Sequence, residues 1–556
     1  MSNSAIDRKK REGKKQNRRS WALFKSCSKK WQNGIVGSSD KDEGPSFLKR
    51  TNSKMKGEHF MKRKKLMAVM LSSAMMLSSV GVIAQADDQT DKEPVTLTMV
   101  LLTDGADYAD TAEVDARVSE ICENALNTTV NIERVSLWDY ATTMNLKLSS
   151  GEPCDLFQGW MNYNTYASNG YFLDLEPYKE YMPDILDLIG NYVEMGYTGD
   201  KLYSVTSVKD LATLQGFIMR KDWVEETGID LTTVDTMEKF GDLLRAIKAN
   251  HPEATPITNG TTGAMPYSFV NLKEKEGGGF SMVDTLSDGV GLVDPENSSV
   301  VSNLYATETY KKSVELCYEW AKEGLISKSD IASGAEQVRA GQSGGYAMPY
   351  KPGVDIQEKT NCDTEMVLWI PDQSEALATT NNTYSWSVNA NCEYPERAVE
   401  LLNYLYTSEE CMNLLSWGIE DKDYVFTDKE NGIINYPEGV DSSTVNYSLW
   451  SKFGVPNTYL QYLLEGSDPD QWTQMHEFNT GGKTSKAFGF AFDATPVTSE
   501  VSAVKNTIDE YGTALGSGLM DPAEKYDEFL EKLDSAGINA IIEEAQRQLD
   551  EWLAAK

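Results

Sequence analysis

Histidine is rare in this sequence, with three copies in 556 residues: His59, His251 and His476. Histidine-rich metal sites and most histidine-based catalysis are therefore not expected. Basic residues are also scarce over most of the chain, because residues 87–556 carry 32 Lys and Arg against 79 Asp and Glu. A body of that charge repels a phosphate backbone, so we expect no nucleic acid partner.

The amino-terminal region has the opposite character and predicts export. Residues 61–65 (MKRKK) are basic, residues 66–83 are uncharged and mostly apolar, and residues 84–86 (AQA) have the small-x-small form of a signal-peptidase site. This order predicts a secretory signal peptide over residues 61–86. A retained transmembrane anchor is the alternative, since about 18 apolar residues can span a bilayer.

Residues 1–60 are out of place before such a signal, whose basic end should open the chain. Codons for Lys56, Gly57 and Glu58 can contain a ribosome-binding sequence, and Met61 follows after a short spacer. We therefore interpret residues 1–60 as a basic extension from a misassigned start. A genuine basic, disordered tail is the alternative.

Cysteine is too sparse to define the fold. Six of the seven cysteines lie in residues 87–556, and six cysteines allow 15 pairings, so no disulfide is predicted. None lies near the predicted cleavage site, where a bacterial lipoprotein would carry its lipid anchor. We expect an exported protein, extracellular or at the surface of a bacterial cell.

The spacing of apolar residues predicts an α/β fold. Three apolar runs, residues 95–102, 130–135 and 155–157, are typical of buried strands, and residues 114–125 and 138–148 between them have helical periodicity. Strands that alternate with helices at this spacing predict a parallel sheet covered by helices.

One catalytic motif is present but in the wrong context. Residues 341–345 (GQSGG) match the G-x-S-x-G nucleophile elbow of serine hydrolases, which requires a strand before the serine and a helix after it. Here a helical pattern precedes Ser343 and none follows, so we interpret Ser343 as part of a tight loop. We predict no catalytic residue, no metal site and no cofactor.

Aromatic and amide side chains are concentrated in loops that follow predicted strands. Residues 160–166 (WMNYNTY) come directly after the third strand, and Asp104, Asp107 and Tyr108 follow the first. In an open α/β sheet, ligands bind beyond the carboxyl ends of the strands. Aromatic rings cover the C–H face of a sugar while amides and carboxylates bind its hydroxyl groups, so these loops predict a carbohydrate site.

Several segments, taken in order, resemble extracellular solute-binding proteins of ABC importers. They are the export signal and residues 95–102 (VTLTMVLL), 147–157 (KLSSGEPCDLF), 169–175 (NGYFLDL), 219–228 (MRKDWVEETG) and 394–398 (YPERA). The resemblance extends from about residue 95 to 410. Residues 411–556 resemble the carboxy-terminal extension of an oligosaccharide or aldouronate branch of that family, while the lipid-anchor Cys of many Gram-positive members is missing.

The resemblance implies an α/β fold of two interleaved lobes in residues 87–410, joined by a hinge, and a carboxy-terminal extension in residues 411–556 that is helical at its end. It implies that a monomer encloses a small solute, in our interpretation a sugar or oligosaccharide, and delivers it unchanged to a membrane permease. The alternatives are a secreted glycan-active hydrolase and a surface adhesin or sensor.

The predicted ligand contacts come from both lobes. They are Asp104, Tyr108, Trp160, Asn162, Tyr163, Tyr203, Tyr350 and Trp386, with Tyr346, Tyr384, Asn381 and Asn382 as further candidates. Trp160 and Trp386 are expected to face each other from opposite lobes. The alternative for each aromatic residue is a place in the hydrophobic core.

Overall fold

The structure, a computed structural model, describes residues 93–258, 281–282, 289–294, 297–327, 333–371, 376–378, 384–449 and 454–556. The predicted signal peptide, the extension before it, Asn381 and Asn382 lie outside the described residues. Within the part that is described, no helix has both the length and the apolar character that a membrane crossing requires.

The strands of the described residues are short apart from three of nine residues. They are β1 (Val95–Thr103), β2 (Thr128–Ser136), β3 (Leu156–Gln158), β4 (Tyr197–Thr198), β5 (Lys201–Leu202), β6 (Val205–Thr206), β7 (Ala212–Arg220), β8 (Ser281–Met282), β9 (Leu292–Asp294), β10 (Ser302–Asn303), β11 (Gly345–Tyr350), β12 (Met366–Trp369), β13 (Leu377–Ala378), β14 (Ser385–Val388), β15 (Val425–Asp428), β16 (Ile433–Asn435) and β17 (Leu463–Leu464).

The helices are spread along the whole described chain. They are α1 (Thr111–Leu126), α2 (Tyr140–Ser150), α3 (Tyr163–Ser168), α4 (Pro183–Ile189), α5 (Lys221–Glu226), α6 (Met237–Asn250), α7 (Glu308–Glu323), α8 (Gly334–Arg339), α9 (Val354–Cys362), α10 (Pro395–Thr407), α11 (Glu409–Trp417), α12 (Gln471–Gly481), α13 (Thr498–Thr507), α14 (Thr513–Gly516), α15 (Pro522–Ala536) and α16 (Ile538–Ala555).

The first sheet has the strand order β2-β1-β3-β14-β6. β1 pairs in parallel with β2 along its whole length and with β3 at Met99, whereas β14 runs antiparallel to β3 and β6. The last seven residues of β1 are all buried, because α1 covers one face of the sheet and α2 the other. The predicted strands, the helices between them and their parallel pairing are confirmed.

The second sheet is antiparallel, with the order β11-β7-β12 and with β13 also paired to β7. Large aromatic side chains fill the space between this sheet and its helices. Trp369 of β12 stacks on Phe240 of α6 with ring centroids 4.0 Å apart, and Trp320 of α7 packs in the same cluster. The first sheet with its helices (residues 93–206 and 385–481) is called the first lobe, and residues 212–378 with those from 482 onward are called the second lobe.

Ser343 lies in the second lobe between α8 and β11, the reverse of the order that a nucleophile elbow requires. Its side chain is 0% exposed, and its hydroxyl donates to the carbonyl of Gly345 at 2.8 Å. The interpretation of Ser343 as part of a tight loop is confirmed.

The carboxy-terminal extension is divided between the two lobes. α11 contributes to the core of the first lobe, and β15, β16 and β17 form a small separate sheet. α13, α15 and α16 share a hydrophobic core with α7 of the second lobe. α16 buries one apolar face, formed by Ile538, Ile541, Ala545 and Leu549.

A buried carboxyl group lies where the extension packs on the first lobe. Asp423, 1% exposed in the turn after α11, accepts a hydrogen bond from the backbone N–H of Ile419 at 2.8 Å. Lys422 beside it forms ion pairs with Asp110 and Glu113 at the start of α1. Burial, together with the Asp110 carboxyl, raises the pKa of Asp423 to about 6 against the opposing effect of the Ile419 hydrogen bond.

Asp423→Asn is expected to flatten the pH dependence of stability between about pH 4 and 6. Because the pKa of Asp423 is raised in the folded state, that state keeps a proton which the unfolded chain has already lost, so the free energy of unfolding falls as pH rises through this window. Urea unfolding of residues 87–556 at both ends of the window measures this fall, which should be smaller in the variant. Asp421→Asn, at an exposed position in the same turn, is the matched control. Equal pH dependence in the parent chain and Asp423→Asn would contradict the raised pKa.

Candidate functional site

The chain passes between the lobes three times, and the described residues of these crossings lie at one edge of the first sheet. Residues 207–211 form the first crossing, between β6 and β7. Tyr384, the described end of the second crossing, directly precedes β14, and residues 482–483, the third crossing, follow α12. β1, β2, β3 and β6 end at this edge, and the antiparallel β14 begins there. The loops after β1 and β3 therefore border the junction between the lobes, where the sequence predicts ligand contacts.

Aromatic and cationic side chains meet at this junction. Trp160, after β3, and Tyr384, before β14, have ring centroids 5.4 Å apart at an interplanar angle of 56°. The Nζ of Lys209, in the first crossing, lies 3.9 Å from the Tyr384 ring centroid. Trp160 has a φ of 46°, in the left-handed region, which costs a bulky residue roughly 1–3 kcal/mol. Backbone strain of this kind is concentrated at functional sites.

A carboxylate between two lysines lies beside these rings. Asp210 Oδ1 is 3.1 Å from Lys209 Nζ and 3.8 Å from Lys351 Nζ. Burial opposes ionisation, but the two ammonium groups hold the pKa of Asp210 below its usual value. Lys351 follows Tyr350 at the end of β11, and the Tyr350 ring lies edge-on to Phe478 of α12 at 5.5 Å. Both lobes therefore contribute side chains to one site that holds acceptors, donors and ring faces.

The predicted contacts after β1 and β3 lie at the same edge. The Tyr108 hydroxyl donates to Asp104 Oδ2 at 3.5 Å, and burial together with this carboxylate raises the pKa of Tyr108. Asn162 Nδ2 donates to the hydroxyl of Tyr166 at 3.3 Å. Tyr203, in contrast, precedes β6, and its ring packs against the ring of Phe172 with centroids 6.0 Å apart. This contact does not place Tyr203 at the junction of the lobes.

Three predicted aromatic contacts are core residues. Tyr163 on α3, Tyr346 on β11 and Trp386 on β14 are 1%, 2% and 0% exposed. The prediction that Trp160 and Trp386 face each other from opposite lobes is wrong, because β14 returns to the first sheet and places Trp386 opposite Gln158 of β3. The tyrosines point inward because their backbone positions lie on the covered faces of α3 and the second sheet.

The charged members of the site were not identified from the sequence. Lys209 and Asp210 lie in a chain crossing, and Lys351 directly follows β11, 141 residues beyond Asp210 in sequence. The sequence signal that could have identified Lys209 and Asp210 is a pair of oppositely charged residues between two apolar strands, β6 and β7. In the described part of the chain, no group of three or more His, Cys, Asp or Glu side chains is arranged to hold a metal ion.

The crossings are held together by a buried side-chain amide. Asn479, 3% exposed at the end of α12, accepts on Oδ1 from the backbone N–H groups of residues 211–212 at 2.8 and 3.0 Å. Its Nδ2 donates to the carbonyl of Lys209 at 2.5 Å. Lys483, just beyond, pairs through its backbone with residues 376–378 at 2.8 and 2.9 Å. These bonds connect the first and third crossings and the segment that leads to the second.

Comparison with known families assigns this architecture to a class. Residues 107–410, more than half of the chain, match the family of bacterial extracellular solute-binding proteins, and residues 486–554 match a domain of unknown function. The chain belongs to the bacterial extracellular solute-binding protein family. The resemblance found in the sequence and the expected two-lobed fold are confirmed.

Individual relatives agree with this class over most of the chain. A carbohydrate ABC transporter substrate-binding protein of Streptococcus pneumoniae serotype 4 is 26% identical over 85% of this chain and 93% of its own length. The crystal structure of the N-glycan transport solute binding protein NgtS from Streptococcus pneumoniae is similar with a TM-score of 0.72 and 22% identity, covering 83% of this chain and 99% of that one. An extracellular solute-binding protein from Bifidobacterium longum subsp. infantis is similar with a TM-score of 0.55 and 16% identity, covering 83% and 99%.

Asn479→Ala is expected to lower the free energy of unfolding by about 2–4 kcal/mol, because three backbone groups lose hydrogen bonds that cost about 1–3 kcal/mol each when a buried partner is removed. Urea unfolding of residues 87–556, followed by circular dichroism, measures the change. Thr480→Ala is the matched control, since Thr480 is exposed and its hydroxyl bonds only within its own helix. Similar destabilisation by the two substitutions would contradict the role of Asn479 in holding the crossings.

Proposed function

We propose that this protein is the carbohydrate-binding receptor of an ABC importer, which captures a sugar or oligosaccharide between its lobes and delivers it to a membrane permease. The observation that carries the proposal is the group of Trp160, Tyr384, Lys209, Asp210 and Tyr350 at the junction of the lobes. Ring faces that cover C–H groups, next to charged acceptors and donors for hydroxyl groups, are the chemistry that carbohydrate recognition uses.

The proposed ligand contacts combine these side chains with their neighbours at the same edge. They are Asp104, Tyr108, Trp160, Asn162, Lys209, Asp210, Tyr350, Lys351 and Tyr384. Tyr163, Tyr203 and Trp386 become supporting residues, because each packs within the first lobe behind the junction.

The names of the relatives support a carbohydrate ligand. The streptococcal relative that matches most of this chain in sequence is named a carbohydrate substrate-binding protein. Two further crystal structures of NgtS are described as complexes with Man1GlcNAc and with Man5GlcNAc. We therefore propose a glycan rather than a peptide or a single amino acid as the ligand of this chain.

The state of Asp210 favours binding over hydrolysis. A glycosidase requires a carboxylic acid whose pKa is raised, so that it can protonate the leaving oxygen. Two lysines instead lower the pKa of Asp210 and keep it ionised, which suits it to accept hydrogen bonds from sugar hydroxyl groups. We propose that the ligand leaves unchanged and that the transporter's ATPase supplies the work.

The proposed transport cycle depends on movement at the crossings. A ligand that contacts both lobes binds the closed form better than the open form, and this difference in affinity shifts the population towards closure. We propose that an exported, extracellular monomer presents its closed form to the permease. An adhesin or sensor would bind a macromolecule without this closure, and small-angle scattering with and without ligand distinguishes the two.

A thermal-shift screen of residues 87–556 against mono- and oligosaccharides, uronates, peptides and amino acids tests the proposal. A ligand at 100 times its Kd stabilises the folded state by about 2.7 kcal/mol, which raises the Tm by several degrees. A rise with glycans, and recovery of the glycan intact, is the expected result. Hydrolysis of the glycan, or no response after unfolding and refolding to remove any copurified ligand, would contradict it.

Trp160→Ala is expected to weaken glycan binding at least tenfold, about 1.4 kcal/mol, because it removes the ring at the junction. Isothermal titration calorimetry measures the affinity, and circular dichroism checks the fold. Trp552→Ala is the control, because Trp552 lies on the last helix, α16, where its ring packs against Phe490. Unchanged affinity in a folded Trp160→Ala protein would remove Trp160 from the site.

A further inference from the structure

The strand order of the first sheet arranges its loops by distance from the hinge. β6 continues directly into the first crossing and β14 follows the second, whereas β2 is the outermost strand at the other side of the sheet. Adjacent strands are about 4.8 Å apart. Moving outward along the edge, Tyr384 precedes β14, Trp160 follows β3 and Asp104 follows β1, so the last position belongs to the loop after β2.

That outermost loop carries a tryptophan in solvent. Trp138 is two residues beyond the end of β2 and is 82% exposed, in contrast to Trp223, Trp320, Trp369, Trp386 and Trp417, all of which are buried. A tryptophan in this position stabilises the fold little, because it removes little apolar surface from water. Tryptophan is enriched where proteins contact other molecules, because its ring offers a large apolar surface together with a polar N–H.

The turn that carries Trp138 packs against the loop after β1, which carries Asp104. The Trp138 backbone N–H donates to Ser136 Oγ at 3.4 Å, and Leu137 N–H donates to the carbonyl of Thr103 at 2.8 Å. A Cβ at Gly105 would lie 2.8 Å from the same Ser136 Oγ, so the loop after β1 packs directly on the loop after β2. Asp104, next to Gly105, therefore lies beside the segment that presents Trp138.

We propose that Trp138 is the platform of an outer glycan subsite, with the carboxylate of Asp104 as a hydroxyl acceptor beside it. This inference rests on the proposed function and deepens it, because it assigns the ligand class as oligosaccharides long enough to extend from the hinge to the edge strand. Trp160 and Tyr384 bind the inner sugar residues, and Trp138 contacts residues that only a longer glycan possesses.

Titration calorimetry of Man1GlcNAc and Man5GlcNAc into residues 87–556 tests the subsite. Trp138→Ala is expected to weaken Man5GlcNAc binding at least fivefold and to change Man1GlcNAc binding less than twofold. Leu146→Ala is the matched control, because Leu146 is also apolar and 67% exposed but lies on α2, away from the strand end. As Trp138 contributes little to the core, the variant should fold, and an unchanged thermal unfolding curve without ligand verifies this.

The outcomes separate the subsite from the function on which it rests. An equal change in affinity for both glycans, or no change for either, would overturn the outer subsite while leaving a glycan receptor intact. Failure of the unsubstituted chain to bind either glycan would contradict these two glycans as ligands, and the outer subsite proposed for the longer one falls with it. As an independent readout, Man5GlcNAc should protect the exposed indole from acrylamide quenching more than Man1GlcNAc does.

Discussion

The side-chain amide of Asn479 connects the end of α12 to the first chain crossing, and the Ser207 N–H donates to the carbonyl of Tyr384 to connect the first crossing to the second. Buried backbone groups must be hydrogen bonded, so these bonds determine where the second lobe can be attached. The attachment point lies at the edge where β1, β2 and β3 end. The position of the hinge therefore also determines which loops can surround a ligand.

Two lysines and the carboxy-terminal extension also contribute to this junction. The body of the protein is strongly acidic, yet the junction holds Lys209 and Lys351 around one ionised carboxylate. Local pairing, rather than net charge, decides the chemistry that a ligand meets. The extension reaches the same region, since Asn164 Nδ2, on α3, donates to the carbonyl of Phe492 at 3.2 Å. A segment that packs mainly on the second lobe thus supports the helix that follows Trp160 in the first.

The elements predicted from the sequence are those with strong local signals. The run of seven buried residues in β1 and the periodic stripe of α16 each identify a backbone conformation and a buried face without help from the rest of the chain. The aromatic segment at residues 160–166 was identified for the same reason, since it follows a strand, but its second half forms α3 rather than the predicted loop. The role of Trp386 was not, because an apolar residue in a short strand has the same local pattern in either lobe.

The sequence by itself determined the α/β class, the location of the aromatic loops at strand ends and the family resemblance, because each depends on periodicity or on short ordered motifs. Only the tertiary structure decided which lobe β14 joins, which tyrosines point into the core and which charges meet at the hinge. The physical reason is sequence distance. Asp210 and Lys351 are brought together by the return of β11 along β7, and no local pattern records a contact that depends on how two sheets are joined.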